Sequence, residues 1–152
     1  LGSQWLMGDR SVEGLGLVAV TTQRAEGGSH NRLVGNVALD SPLASHPVVG
    51  YENHAGRTYL GPGVEPLGAV ASKAGHGNNE DDRADGVRFR NVVGTYSHGP
   101  LLSKNPEVAD WLIERALERH SRRTEAETPP LRPLDDGVEL AANESLAQGM
   151  RL

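Results

Sequence analysis

"NVVGTYSHGPLLSKNPEVADWLIERAL", residues 91–117, holds a strand, a turn and a helix in that order. The segment 86–99 alternates early and ends apolar at Val92-Val93, as a strand entering the middle of a sheet would. Gly99-Pro100 then stops it, because proline lacks the amide hydrogen and glycine accepts a tight turn. Asn105 can cap a helix, Pro106 suits its first position, and Glu107 favours its positive end. Val108, Trp111, Leu112 and Leu117 recur at helical spacing, so a helix is predicted over 105–120. A strand feeding a helix in this way predicts an α/β layering.

His98 stands at the end of that strand, directly before the turn. A histidine pinned there is well placed for proton chemistry. A hydrogen-bonded histidine with no chemical role is the competing reading, and the residues alone leave both open.

Outward from this segment, strands near 47–50 and 66–71 are expected to share a sheet with 88–96. "GLGLVAVTTQR" (14–24) and "NRLVGNVALD" (31–40) read as strands joined by "AEGGSH" (25–30), which predicts a hairpin. "LGSQWLMG" (1–8) reads as the first turns of a helix leaving a tight glycine turn. Residues 121–133, rich in charge and proline, read as a linker, and 134–152 as a terminal helix.

With 152 residues the chain is long enough for one domain with a real core. Its 19 glycines and 9 prolines predict many tight turns. A net charge of −5 without a basic block excludes the concentrated positive face that nucleic acid requires. Apolar runs stay well short of the roughly 20 residues of a membrane span. No signal peptide is readable, so a cytoplasmic location is the expectation. Zero cysteines exclude disulfides and thiolate metal sites.

Two polar clusters stand out. "GYENHAGRT" gathers Tyr51, Glu52, Asn53, His54, Arg57 and Thr58 around two glycines, read as a polar loop after a short strand. It suits either a solvated loop or a ligand or partner rim on an α/β sheet. "GHGNNEDDRADG" (75–86) is rich in oxygen donors but lacks the donor order of a calcium loop, so an exposed turn without metal is expected.

"LGSQ" matches the second to fifth residues of the pattern C-x-G-x-Q, with Gly2 third and Gln4 fifth. That pattern is the nucleophile elbow of class I glutamine amidotransferases. The chain resembles the cobyric-acid-synthase-like branch of that superfamily, and within it the glutaminase subunits of lipid II isoglutaminyl synthases. The carrying segments are "EGLGL" (13–17), "NRLVGNV" (31–37), "VVGYENHAGRTYLGPG" (48–63), "PLGAV" (66–70), "GNN" (77–79) and residues 91–117. The resemblance implies the C-terminal portion of a three-layer α/β/α, flavodoxin-like domain over residues 1–120. It places the nucleophilic cysteine immediately before Leu1, so the 152 residues by themselves are expected to be inactive.

In this branch the catalytic groups are a cysteine and a histidine. The resemblance assigns the histidine role to His98, one oxyanion donor to the backbone N–H of Leu1, and a glutamine contact to Gln4. Arg32 suits the substrate carboxylate, since a guanidinium grips a carboxylate at two points; an exposed strand arginine is the equal alternative. The resemblance further implies a Mur-ligase-like partner of the MurT type in a heterodimer. ATP and magnesium would belong to that partner and no cofactor to this chain, which has no P-loop. The alternatives are the amidotransferase domain of a cobyric acid synthase, or an inactive relative that only binds its partner.

Overall fold

The computed structural model describes residues 1–27, 30–73, 75–125 and 127–150, so part of the 25–30 turn and the last two residues of the terminal segment lie outside the described residues. The chain opens on β1 (Gln4–Met7) and β2 (Arg10–Glu13), an antiparallel hairpin. Gly8, at φ +65°, is the first of its two loop residues, where a type II′ turn takes glycine. The helix expected over 1–8 is therefore a strand. A helix that short is marginal by itself, whereas β1 gains ladders on both sides, to β2 and, in parallel, to β3 (Val20–Arg24).

β4 (Leu33–Asp40) pairs with β5 (Val48–His54), Leu33 opposite His54 and Leu39 opposite Val48. β3 pairs instead with β6 (Gly56–Leu60). The expected hairpin between 14–24 and 31–40 thus does not form. Its two halves serve different apolar clusters: Val18 and Val20 pack with Val87, while Val37 and Leu39 pack with Leu43, Val48, Leu67, Val70 and Val108.

The remaining strands are short: β7 (Gly68–Val70), β8 (Ala84–Asp85), β9 (Val87–Phe89), β10 (Val92–Gly94) and β11 (Ser97–His98). One sheet runs β2-β1-β3-β6, a second runs β11-β5-β4-β7-β8, and β9 with β10 forms its own ladder. The single sheet expected from 47–50, 66–71 and 88–96 therefore holds for β5 and β7 only. Residues 87–94 fold back on themselves about Arg90-Asn91, with Arg90 at φ +56° and its guanidinium 5.1 Å from the Phe89 ring centre.

Helix α1 (Pro106–Thr124) starts within a residue of its predicted position and runs four residues further. Val108 is fully buried in the larger cluster, with Trp111 and Leu112 against it. Asn105 precedes the helix but makes no side-chain cap; its side chain is buried against Val49 instead. Helix α2 (Gly137–Gly149) docks through Asn143, which is 1% exposed and donates to the carbonyls of Pro47 and Lys104, each at 2.9 Å. The architecture is mixed α/β, in keeping with the C-terminal portion of a layered α/β/α domain. Among the described residues no helix is long and apolar enough to cross a membrane.

Candidate active site

Residues 50–54, expected as a loop, continue β5, and the alternation of a strand sorts their side chains. Tyr51 and Asn53 face outward and are exposed, while Glu52 and His54 face inward and are buried. Glu52 is wholly inaccessible, and its carboxylate accepts from the His76 amide at 2.7 Å, the His76 ring at 2.8 Å and the Gly77 amide at 2.9 Å. Burial alone would raise its pKa, but the nearby His54 ring and the hydrogen bonds from His76 and Gly77 hold it below the ordinary glutamate value.

That contact also revises the 75–86 segment, expected as an exposed turn. Its tip, Glu80 to Arg83, is exposed, but Gly77, Asn78, Asn79, Asp85 and Gly86 are buried. Asn78 Nδ2 donates to the Gly86 carbonyl at 2.7 Å and Asn79 Nδ2 to the Thr58 carbonyl at 2.8 Å, so the amides replace missing ladder partners. Among the described residues no three metal-ligating His, Asp or Glu side chains converge.

His98 lies on β11, opposite Tyr51 of β5, with its ring exposed. Its Nδ1 bonds the Tyr96 carbonyl. A carbonyl only accepts, so Nδ1 carries the hydrogen and the neutral ring keeps Nε2 as an open acceptor. The Tyr96 ring stacks on His54, centroids 3.7 Å apart and planes within 4°. Its hydroxyl meets Thr58 Oγ1 at 2.8 Å, and Thr58 Oγ1 in turn meets Thr22 Oγ1 at 2.7 Å.

Leu1 is held by its carbonyl, which accepts from the amides of Leu17 and Val18 at 3.0 and 3.1 Å. A Cβ added at Gly2 would sit 2.7 Å from the Val20 carbonyl oxygen, so only glycine fits there. Leu1, Gly2, Thr22, Thr58, Asn78 and Tyr96 are among the residues lining one cavity of about 270 Å³. The first residues and the approach to His98 thus meet at one space, although His98 itself does not line it. Gln4 is exposed on β1, opposite Glu13 and Thr21. Arg32 is exposed and donates through Nε to Asn53 Oδ1 at 2.6 Å. Arg57 is 5% exposed, paired with Glu80 at 2.8 Å, and lines a separate cavity of about 490 Å³.

The sequence-predicted residues therefore fall into separate groups: Leu1 near Tyr96, Arg32 with Asn53, Glu52 with His54, and Arg57 apart with Glu80. Tyr96, His76 and Asp85 were not singled out. Asp85 is fully buried, accepts from Thr95 Oγ1, and has no partner at Oδ1 among the described residues. Burial, aided by the nearby Glu52 charge, raises its pKa against the Thr95 hydrogen bond. The flanking glycines of "GHGNN" and the tyrosine two residues before His98 were the available signals.

An exposed imidazole at a strand end, with Nδ1 held by a main-chain carbonyl, is chemically able to exchange a proton at Nε2. The chain belongs to the CobB/CobQ-like glutamine amidotransferase domain family, which matches residues 2–106. It is 41% identical over 120 residues to the lipid II isoglutaminyl synthase (glutamine-hydrolyzing) subunit GatD of Staphylococcus aureus, covering 78% of this chain and 46% of that protein. It is 37% identical over 110 residues to the subunit of the same name from Streptococcus pneumoniae, covering 72% and 40%. A probable cobyric acid synthase of Methanosphaera stadtmanae is 45% identical over 96 residues, covering 59% and 18%. The chain thus spans less than half the length of each of these relatives.

Proposed function

We propose that this chain belongs to the glutaminase subunit of a lipid II isoglutaminyl synthase. The observation that carries the reading is its likeness, over most of its length, to two glutamine-hydrolyzing subunits of that name. In this reading a cysteine immediately before Leu1 attacks the side-chain amide of L-glutamine, giving a tetrahedral intermediate and then a glutamyl thioester. His98 Nε2 takes the thiol proton, returns one to departing ammonia, and then activates the water that releases glutamate. The Leu1 backbone N–H stabilises the oxyanion. Gln4 and Arg32 contact the bound glutamine, Arg32 after giving up Asn53.

The ammonia passes to a Mur-ligase-like partner in the cytoplasm, which uses ATP and magnesium to activate the D-glutamate carboxyl of lipid II. The exposed Tyr51 and Asn53, on the outward face of β5, suit a contact with that partner or the substrate. Without the thiol, residues 1–152 alone release no glutamate at a useful rate. The likeness to a probable cobyric acid synthase supports a second reading, in which the same chemistry feeds a synthetase domain of the same chain.

The test uses the full-length protein with its ligase partner. His98→Ala abolishes glutamine-dependent amidation and spares ammonia-dependent amidation, because free ammonia bypasses the base. Loss of both activities in an intact complex, or full retention of the glutamine-dependent one, overturns the assignment.

A further inference from the structure

The strand carrying His98 is two residues long and lies at the edge of its sheet, so backbone pairing alone holds it weakly. Side chains rooted in β5 and β6 supply the rest. His98 Nδ1 rests on the Tyr96 carbonyl, and the Tyr96 ring rests on His54. His54 is 5% exposed, and its Nδ1 donates to the Gly56 carbonyl at 2.8 Å. Its Nε2 has no hydrogen-bond partner among the described residues and lies 3.7 Å from Glu52 Oε2. Glu52 is anchored in turn by the amides of His76 and Gly77.

The backbone beneath is cut back to admit this stack. A Cβ added at Gly50 would lie 1.8 Å from Ser97 Oγ, and one at Gly56 would lie 2.8 Å from the Tyr96 hydroxyl oxygen. Two glycines therefore let the 96–98 segment sit directly on the β5–β6 unit.

We propose that His54 is a positioning residue for His98: its ring fixes Tyr96, and the Tyr96 carbonyl fixes the His98 tautomer. The proposal rests on the reading of His98 as the glutaminase base. A histidine base needs one nitrogen open to the nucleophile and the other held by an acceptor. Gly99 and Pro100 follow His98, so the acceptor here is a main-chain carbonyl rather than a neighbouring carboxylate. A carbonyl on a two-residue edge strand orients a ring only if its own residue is immobile. The flat contact with His54 and the hydroxyl bond to Thr58 give Tyr96 that immobility.

The test reads His98 directly, by NMR of the full-length protein carrying 15N-labelled histidine. In the parent, neutral His98 is the Nδ1–H tautomer. His54→Ala mixes the two tautomers and lowers the kcat of glutamine hydrolysis about tenfold to a hundredfold, with KM within twofold. His54→Phe keeps a flat ring beneath Tyr96 and restores the His98 spectrum and most of kcat. Tyr96→Leu leaves His54 in place but removes the stack, and mixes the tautomers as His54→Ala does. An unchanged His98 spectrum in folded His54→Ala or Tyr96→Leu overturns the proposal, as does an Nε2–H tautomer in the parent. A parent that releases no glutamate sinks the proposed function instead, while the tautomer measurement still decides the role of His54.

Discussion

Asn105 holds the main chain of Val49 at both of its polar groups, accepting from the amide at 2.8 Å and donating to the carbonyl at 2.9 Å. The same Nδ2 donates to the Leu101 carbonyl at 2.7 Å. One side chain thus stands in for a paired strand and ties the start of α1 to β5. Asn105→Ala strands these groups in a buried setting, where each unsatisfied group costs about 1–3 kcal/mol. The expected loss is about 3 kcal/mol, read as a lower urea midpoint at unchanged slope. A loss below about 1 kcal/mol would mean that water replaces the amide there.

Gly50 and Ser97 test the seating of β11. The Ser97 hydroxyl is buried without a hydrogen-bond partner among the described residues, so Ser97→Ala should be nearly neutral. Gly50→Ala forces its new methyl onto that hydroxyl, at an expected cost of about 1–3 kcal/mol. The double variant recovers at least half of that cost, a coupling visible in a double-mutant cycle of urea unfolding. Additive effects would show that β11 is not seated on Gly50.

Glu107 governs acid stability at the loop before β5. Burial pushes its pKa up, but hydrogen bonds from the Ser45 hydroxyl, the His46 and Ser45 amides and the His46 ring hold it at about 2. The depressed value means the folded chain prefers the carboxylate. The contribution is complete above the ordinary value of 4.5 and is lost as pH falls through that value towards about 2. The Glu107 side chain is 35% exposed, so screening reduces the effect to about 1 kcal/mol. Unfolding of Glu107→Gln and the parent should differ at pH 7 and converge near pH 2; a constant difference would contradict the assignment.

Asp85 acts with the opposite sign. Its raised pKa means the folded chain prefers the neutral acid. As pH rises past the ordinary aspartate value of 3.8, the unfolded chain ionises first and the parent loses stability until the raised pKa is passed. Asp85→Asn does not ionise, so its stability relative to the parent should improve as pH rises past 3.8. Unfolding curves that move in parallel would place Asp85 in an environment that does not resist its charge.

The α/β character, helix α1 and the position of His98 at a strand end were legible because each rests on local chemistry. Pro106 and the apolar spacing from Val108 to Leu117 specify a helix wherever it packs. Strand partners were not legible in the same way. β3 and β4 look alike in sequence, and only the apolar cluster each enters separates them. The reversal at Arg90-Asn91 lacks the glycine that usually marks a two-residue turn, so 88–96 read as one strand. The polar run 50–58 read as a loop because its inward residues are charged or aromatic. Their partners, His76, Gly77 and Tyr96, are distant in sequence, and only the fold brings them beneath β5.

The two contacts on the outer side of β5 also bear on how the protein behaves in a crowded solution. Asn105 occupies the amide and carbonyl of Val49, and β11 covers Tyr51 and Glu52. A bare strand rich in valine is a template on which a second copy can add its own strand. Capping it takes one amide side chain and two residues of a neighbouring strand, the second of which is His98. A substitution that frees β11 should therefore be seen first as growing light scattering on gentle warming, before any loss of helical signal.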